Sequence, residues 1–192
     1  MMSMASAIRL KRIHPKKFAL WTALVSIVML FSALTSAYLV RRAASDWLIF
    51  PIPQEFFIST TAIVLSSIVL HISYKQYVNK NYSMYIICLL IGFAMGMTFM
   101  IYQYLGWLSL NDMQVFLHTN QSSSFTGMLV GIHALHIIGG LTGLLVCLIH
   151  AIRTKTREWT PKRQLRLELV FTYWHFVDIV WIYLIIFFYT QQ

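Results

Sequence analysis

Charge is scarce in this chain and cysteine scarcer. Asp, Glu, Lys and Arg together make up 11% of the 192 residues, and cysteine occurs twice, at Cys88 and Cys147. So little charge, set against 58% apolar residues, excludes an ordinary soluble globular domain. Both cysteines fall inside long apolar runs, which excludes a disulfide framework and Cys metal-ligand spacing and predicts two buried, inert thiols. The chain also lacks an internal repeat, a low-complexity tract, a nucleophile beside its base, a phosphate loop and a redox thiol pair. Its pieces outside the apolar runs reach only about 14 to 17 residues, too short to form a core of their own.

What the chain does have is length without polarity. Five apolar runs, at 18–40, 56–74, 84–107, 125–152 and 167–189, are each long enough to cross a bilayer as a helix. The expected fold is all-α: a polytopic membrane bundle of five transmembrane helices, in which a basic segment, 1–17, precedes a single membrane domain, 18–192. The first run is too long for a signal-peptide core, so no cleavage is expected. Pro51 and Pro53 break the chain after Arg41 and Arg42, and Pro161 breaks it before the fifth run. The polar stretch ending in Gln121-Ser122-Ser123-Ser124 has the composition of a loop and helix start.

The net charge of +9 could point to nucleic acid, but the basic residues lie in the gaps between apolar runs, so no nucleic-acid partner is expected. Counting Lys and Arg by side places the tail, the Lys75–Lys80 turn and the Arg153–Arg166 loop together, with only Arg41 and Arg42 opposite. The positive-inside rule therefore predicts an inner N-terminus and an outer C-terminus.

One acid breaks the pattern. Asp178 stands near the middle of the fifth run, in Tyr173-Trp174-His175-Phe176-Val177-Asp178-Ile179-Val180-Trp181, where an ionised side chain costs about 3 kcal/mol or more and needs a protein partner. The fourth run carries His133 and His136 in Gly131-Ile132-His133-Ala134-Leu135-His136-Ile137-Ile138-Gly139-Gly140. With the two helices antiparallel and rising about 1.5 Å per residue, His136 falls at nearly the depth of Asp178, and the two are expected to meet. The same count sets His175 and Trp174 level with Gly139, Gly140 and Gly143, where missing side chains admit a large ring. Gly127, Gly131, Gly139 and Gly143 recur at multiples of four residues, the pattern of a close helix crossing.

Other chemistry weighs against this structural reading. His136 and His150 are 14 residues apart, about 21 Å along a helix, so His136 with His175 and His71 with His150 would make two bis-histidine haem sites. Against that, His71 and His150 lie at run ends, His175 is offset by about a turn from His136, and His133 is left over. His133, His136 and Asp178 offer three metal ligands where a closed zinc site needs four. A proton relay lacks an exit, because Ile179 to Tyr189 is apolar and aromatic, and a transporter lacks repeated halves.

Both mid-run motifs carry a family resemblance. The segment Gly131 to Gly140 resembles the G-x-H-x-x-H-V-x-x-G segment of subunit III of haem-copper terminal oxidases, and Tyr173 to Trp181 resembles that family's YWHFVDVVW, differing conservatively at Ile179. Ser36-Ala37-Tyr38-Leu39-Val40-Arg41-Arg42 is similar to the end of the first span of short bacterial forms. Pro53, Ser59-Thr60 and Ser66-Ser67 are similar to their second span. Gln103-Tyr104-Leu105-Gly106-Trp107 is similar to Q-x-x-E-[YW], with Gly106 where an acid is usual.

The resemblance covers nearly all of 18–190, and its five spans match the last five of seven-helix members. It implies a subunit with no haem or metal of its own, docked in a bacterial inner membrane beside the catalytic subunit of a cytochrome c or quinol oxidase, with room for a respiratory supercomplex. It also implies bound phospholipid and support of proton uptake by the catalytic subunit. Under it, His133, His136, His175 and Asp178 form a buried structural network, and Gly131, Gly139, Gly140, Gly143 and Trp174 pack helices. Many members carry a buried glutamate in the first span; Phe18 to Val40 holds no acid, so that role does not transfer.

Overall fold

In lipid every backbone N–H and C=O must be satisfied within the protein, and a helix does this within one segment. The computed structural model, which describes residues 14–43, 47, 50–112, 121–153 and 160–191, contains five helices and, among these residues, no strand. They are α1 (Pro15–Arg42), α2 (Gln54–Val78), α3 (Tyr82–Asp112), α4 (Gln121–Arg153) and α5 (Pro161–Thr190). All five are long and apolar enough to span a membrane. Residues 1–13 of the expected basic tail lie outside the described residues.

Each helix outruns its apolar run at both ends. The 25 residues of α2, the shortest, extend about 37 Å at about 1.5 Å per residue, beyond a hydrocarbon core of about 30 Å. Hydropathy marks only the part in oil, while the helix continues through the interface until a breaker or cap stops it. Pro15 and Pro161 sit at helix starts, where a missing N–H is harmless and a fixed φ helps. The α2–α3 turn closes as a Schellman motif: Asn81 N–H reaches Gln76 O at 3.0 Å and Lys80 N–H reaches Tyr77 O at 3.1 Å, with Lys80 left-handed at φ 61°.

Helices in lipid gain little from hiding apolar surface from one another and associate through close packing and hydrogen bonds. The α2–α3 pair shows this most clearly. Ser59, Ile63, Ser66, Leu70, Ser73 and Tyr77 form a buried stripe with alternating four- and three-residue steps, and its serines recur every seventh residue. Opposite lie Tyr85, Gly92, Gln103 and Gly106 of α3. Ser66 Oγ donates to Gly92 O at 2.8 Å, Ser73 Oγ to Tyr85 O at 3.0 Å, and Gln103 Nε2 to Ser59 Oγ at 3.0 Å.

Helices α2, α3, α4 and α5 close a ring, since α2 packs on α3, α3 on α4, α4 on α5 and α5 on α2. Helix α1 lies outside it against α4 and α5 alone. Helices α4 and α5 thus each pack on three others, and Trp174 and Trp181 of α5 are fully buried. Lys17 Nζ meets Glu168 Oε2 at 2.6 Å at one end of α1, and Arg42 meets Gln191 at the other, so α1 and α5 run parallel. At the Lys17 end, Arg163 is buried against the rings of Tyr77, Tyr82 and Tyr85, and its Nη1 donates to Tyr82 Oη at 2.9 Å.

Candidate functional site

The mid-span polar residues divide into two groups on different sides of α5. On the α4 side, His133 is 1% exposed and stacks on the Trp181 indole, with ring centroids 5.2 Å apart and 29° between planes. Phe99 and Phe31 close over it edge-on at 6.1 and 6.2 Å. Neither ring nitrogen of His133 has a hydrogen-bond partner among the described residues, so aromatic packing alone holds it. Trp181 Nε1 in turn donates to Thr60 Oγ1 of α2 at 2.9 Å, fixing the indole that His133 stacks on. His136 turns its Nδ1–H back to Ile132 O at 2.8 Å and its ring toward Phe31 of α1, 5.8 Å away.

On the α2 side, His175 Nδ1 hydrogen-bonds Ser67, and its ring lies 6.3 Å from that of His71. Asp178 sits beside them, 3% exposed. Ser67 lies close to its carboxylate, and its hydroxyl can accept from His175 Nδ1–H while still turning its own hydrogen toward Asp178, whose two oxygens are sealed from the surface. Together with Val64, Ile68, Ile72, Ile179 and Ile182 these residues line a groove of about 470 Å³ along the outside of the α2–α5 seam.

The expected meeting of His136 and Asp178 therefore does not occur. Equal depth does not imply an equal bearing. At about 100° per residue, Asp178 stands about 40° and His175 about 100° round from Trp174 in one sense, while Tyr173 and Val170 lie in the other. Val170, Tyr173 and Trp174 meet α4, and the other side turns to α2. By the same geometry neither pair of the alternative haem reading is brought together: His136 faces α1, His175 faces Ser67 and His71, and His150 lies with Arg163 and Arg166 near the start of α5. Among the described residues no group of three or more His, Cys, Asp or Glu side chains is placed to hold a metal.

The glycines separate in the same way. A β-carbon on Gly140 would stand 2.9 Å from Trp174 Cε3, so Trp174 lies against bare backbone. One on Gly139 would meet Tyr173 Oη at 3.5 Å, and one on Gly143 would meet Val170 Cγ1 at 3.4 Å, both ordinary contacts. Gly131 corrects the expectation outright: nothing lies within 4 Å of its β-position, because that side of α4 faces outward. The tighter approaches involve residues the helical pattern of α4 did not flag: Gly92 against Leu70, Gly96 against Trp174 and Leu141, and Gly106 against Phe56. The serine heptad of α2 and the Gly92-x-x-x-Gly96 step of α3 were the available signals. At Gly106, where the resembled family has an acid, a β-carbon would come within 2.8 Å of Phe56 Cε1, so that ring fills the place.

A sequence model of the family described as "Cytochrome c oxidase subunit III" matches residues 16–192. A probable cytochrome c oxidase subunit 3 of Nocardia farcinica is 46% identical over 68 residues, covering 33% of this chain and 32% of that protein. One of Mycobacterium bovis is 34% identical over 92 residues, covering 48% and 44% respectively. The cytochrome c oxidase subunit 3 of Mus musculus is 42% identical over 57 residues, covering 30% of this chain and 21% of the relative. The matched stretches thus span less than half of these relatives' own lengths.

Proposed function

Because the chain belongs to the cytochrome c oxidase subunit III family, we propose that it is the accessory subunit III of a proton-pumping haem-copper terminal oxidase in a bacterial inner membrane. It docks beside the catalytic subunit, carries no reacting centre itself, binds phospholipid at its apolar flanks and supports the catalytic subunit's structure and proton uptake during aerobic respiration. Haems and copper belong to the partner subunits, and the complex is able to join a respiratory supercomplex. The basic end of the bundle, with Lys17, Lys75, Lys80 and Arg163, faces the cytoplasm.

The observation that carries this reading is the family match across 16–192, together with the engagement of His133, His136 and His175 by protein groups. His133, His136, His175 and Asp178 serve as structure, in two groups rather than one network. With no acid from Phe18 to Val40, any influence on proton uptake comes from how the subunit shapes its neighbour and the lipid, not from a carboxylate in α1.

Affinity purification of the tagged chain from its own membranes, with the co-purifying chains identified by mass spectrometry, tests the assembly. The catalytic subunit with haem and copper is the expected companion. An optical spectrum of the chain purified apart from its partners tests the runner-up, a haem-bearing electron-transfer anchor. A Soret band in stoichiometric amount would reverse the assignment.

A further inference from the structure

We infer that Asp178 is a proton store, loaded and emptied from the basic end of the bundle through His71, His175 and Ser67. This goes beyond the oxidase-subunit reading and does not depend on it, since the store belongs to this chain alone. Asp178 is 3% exposed and both its oxygens are sealed from the surface, so water does not reach them directly. Ser67 is the hydroxyl beside them, and it is hydrogen-bonded to His175 Nδ1. That chain is the route by which a proton reaches the carboxyl.

The chain is satisfied in two directions. With Asp178 ionised, His175 Nδ1–H donates to Ser67 Oγ and the Ser67 hydroxyl donates to the carboxylate. A proton taken up at His175 Nε2 lets Nδ1 pass its own to Ser67, and Ser67 pass its own to Asp178. The acid O–H then donates to Ser67 Oγ, the Ser67 hydroxyl donates to the bare Nδ1, and the incoming proton stays on Nε2. One proton has entered, and every polar atom of the chain keeps a partner. The carboxylate charge, costly at this depth, is discharged without leaving a cation on His175.

His71 is the entrance. Its ring centroid lies 6.3 Å from that of His175, both on the wall of the α2–α5 groove. Imidazole nitrogens stand about 1.2 Å from the ring centre, so facing nitrogens come within about 4 Å, a gap that one water molecule bridges. His71 is exposed and stands seven residues, about 10 Å, before the end of α2 at Val78, within reach of the interface at the basic end. Among the described residues, Tyr74, Glu168 and Lys17 are tied to one another at that same end, and His133 and His136 of α4 lie on the other side of α5. Past Asp178, residues Ile179 to Tyr189 include no acid, histidine, lysine or arginine, so the route ends there and the proton leaves as it came.

Infrared difference spectra of the full chain, purified with the chains that accompany it, read the carboxyl directly, because a protonated acid has a C=O band clear of carboxylate and amide absorption. Asp178→Asn identifies the band by removing it. The band is expected to grow as pH falls and to shift on transfer to heavy water. Ser67→Ala breaks the chain, and His71→Leu closes the entrance by changing an exposed side chain; each is expected to slow that shift about tenfold or more, and Ser67→Thr to restore it. The oxidase reading stands or falls separately, on whether the catalytic subunit co-purifies. A band missing at every pH, a band that neither grows nor exchanges, or exchange in Ser67→Ala and His71→Leu as fast as in the unaltered chain would overturn the store.

Discussion

The far edge of the Trp174 indole occupies the space that a β-carbon on Gly96 would need: built there, that carbon would stand 2.8 Å from Trp174 Cη2 and 2.9 Å from Leu141 Cδ2. Trp174 is fully buried and presses on Gly140 with its other side, so it cannot yield. Three helices, α3, α4 and α5, are thereby locked by one ring. Gly96→Ala should lower stability by about 1–3 kcal/mol through overpacking, outweighing a helix-propensity gain of up to about 1 kcal/mol. Gly131→Ala, with open space around it, should be neutral or slightly stabilising. Thermal melting of both variants in detergent compares them, and an equal loss would refute the distinction.

Ser66 should tolerate shortening better than enlargement. Ser66→Ala removes the bond to Gly92 O and should cost about 0.5–1.5 kcal/mol, whereas Ser66→Leu must push α2 from α3 and should cost about 1–3 kcal/mol. An SDS titration of the folded fraction ranks the two. The opposite order would mean that the serine bond, not close approach, holds the pair.

Arg163 should matter as a flat, forked cation. Its guanidinium lies 5.7, 5.3 and 6.0 Å from the ring centroids of Tyr77, Tyr82 and Tyr85. Arg163→Met should loosen the first turns of α5, raising amide exchange there roughly tenfold for a loss of about 1–2 kcal/mol. Arg163→Lys should not restore protection, since a compact ammonium cannot cover three rings and still bond Tyr82. Full protection in the Lys variant would show that charge alone suffices.

The Lys17–Glu168 pair should matter little. Its side chains are 43% and 28% exposed, so solvent screens a 2.6 Å contact that looks strong. Lys17→Ala should cost less than about 1 kcal/mol, and the difference should vanish in high salt. A loss that persists unchanged as salt rises would show the pair to be shielded.

Much of the fold was legible because oil imposes its rule residue by residue. A run such as 84–107 carries no charged residue at all, and nothing but a spanning helix accommodates it, so the number and order of the helices follow from composition alone. The helix ends were less legible. Asp112 and Arg153 lie beyond their apolar runs yet remain helical, because interfacial water tolerates a polar helix that hydropathy does not register.

The candidate site was legible in its members and not in its pairings. The sequence by itself determined the number of spans, the depth of Asp178, the richness of α4 in small residues and the motifs from Gly131 to Gly140 and Tyr173 to Trp181. Tertiary structure decided the partners. It sent Asp178 and His175 toward Ser67 and His71, His133 onto Trp181, Trp174 into the gap between Gly96 and Gly140, and Gly131 outward. The physical reason is that position along a helix is read by counting residues, while direction around it matters only relative to the neighbours. In a bundle apolar on all sides, those neighbours are chosen by the fit of rings and grooves between helices far apart in the chain.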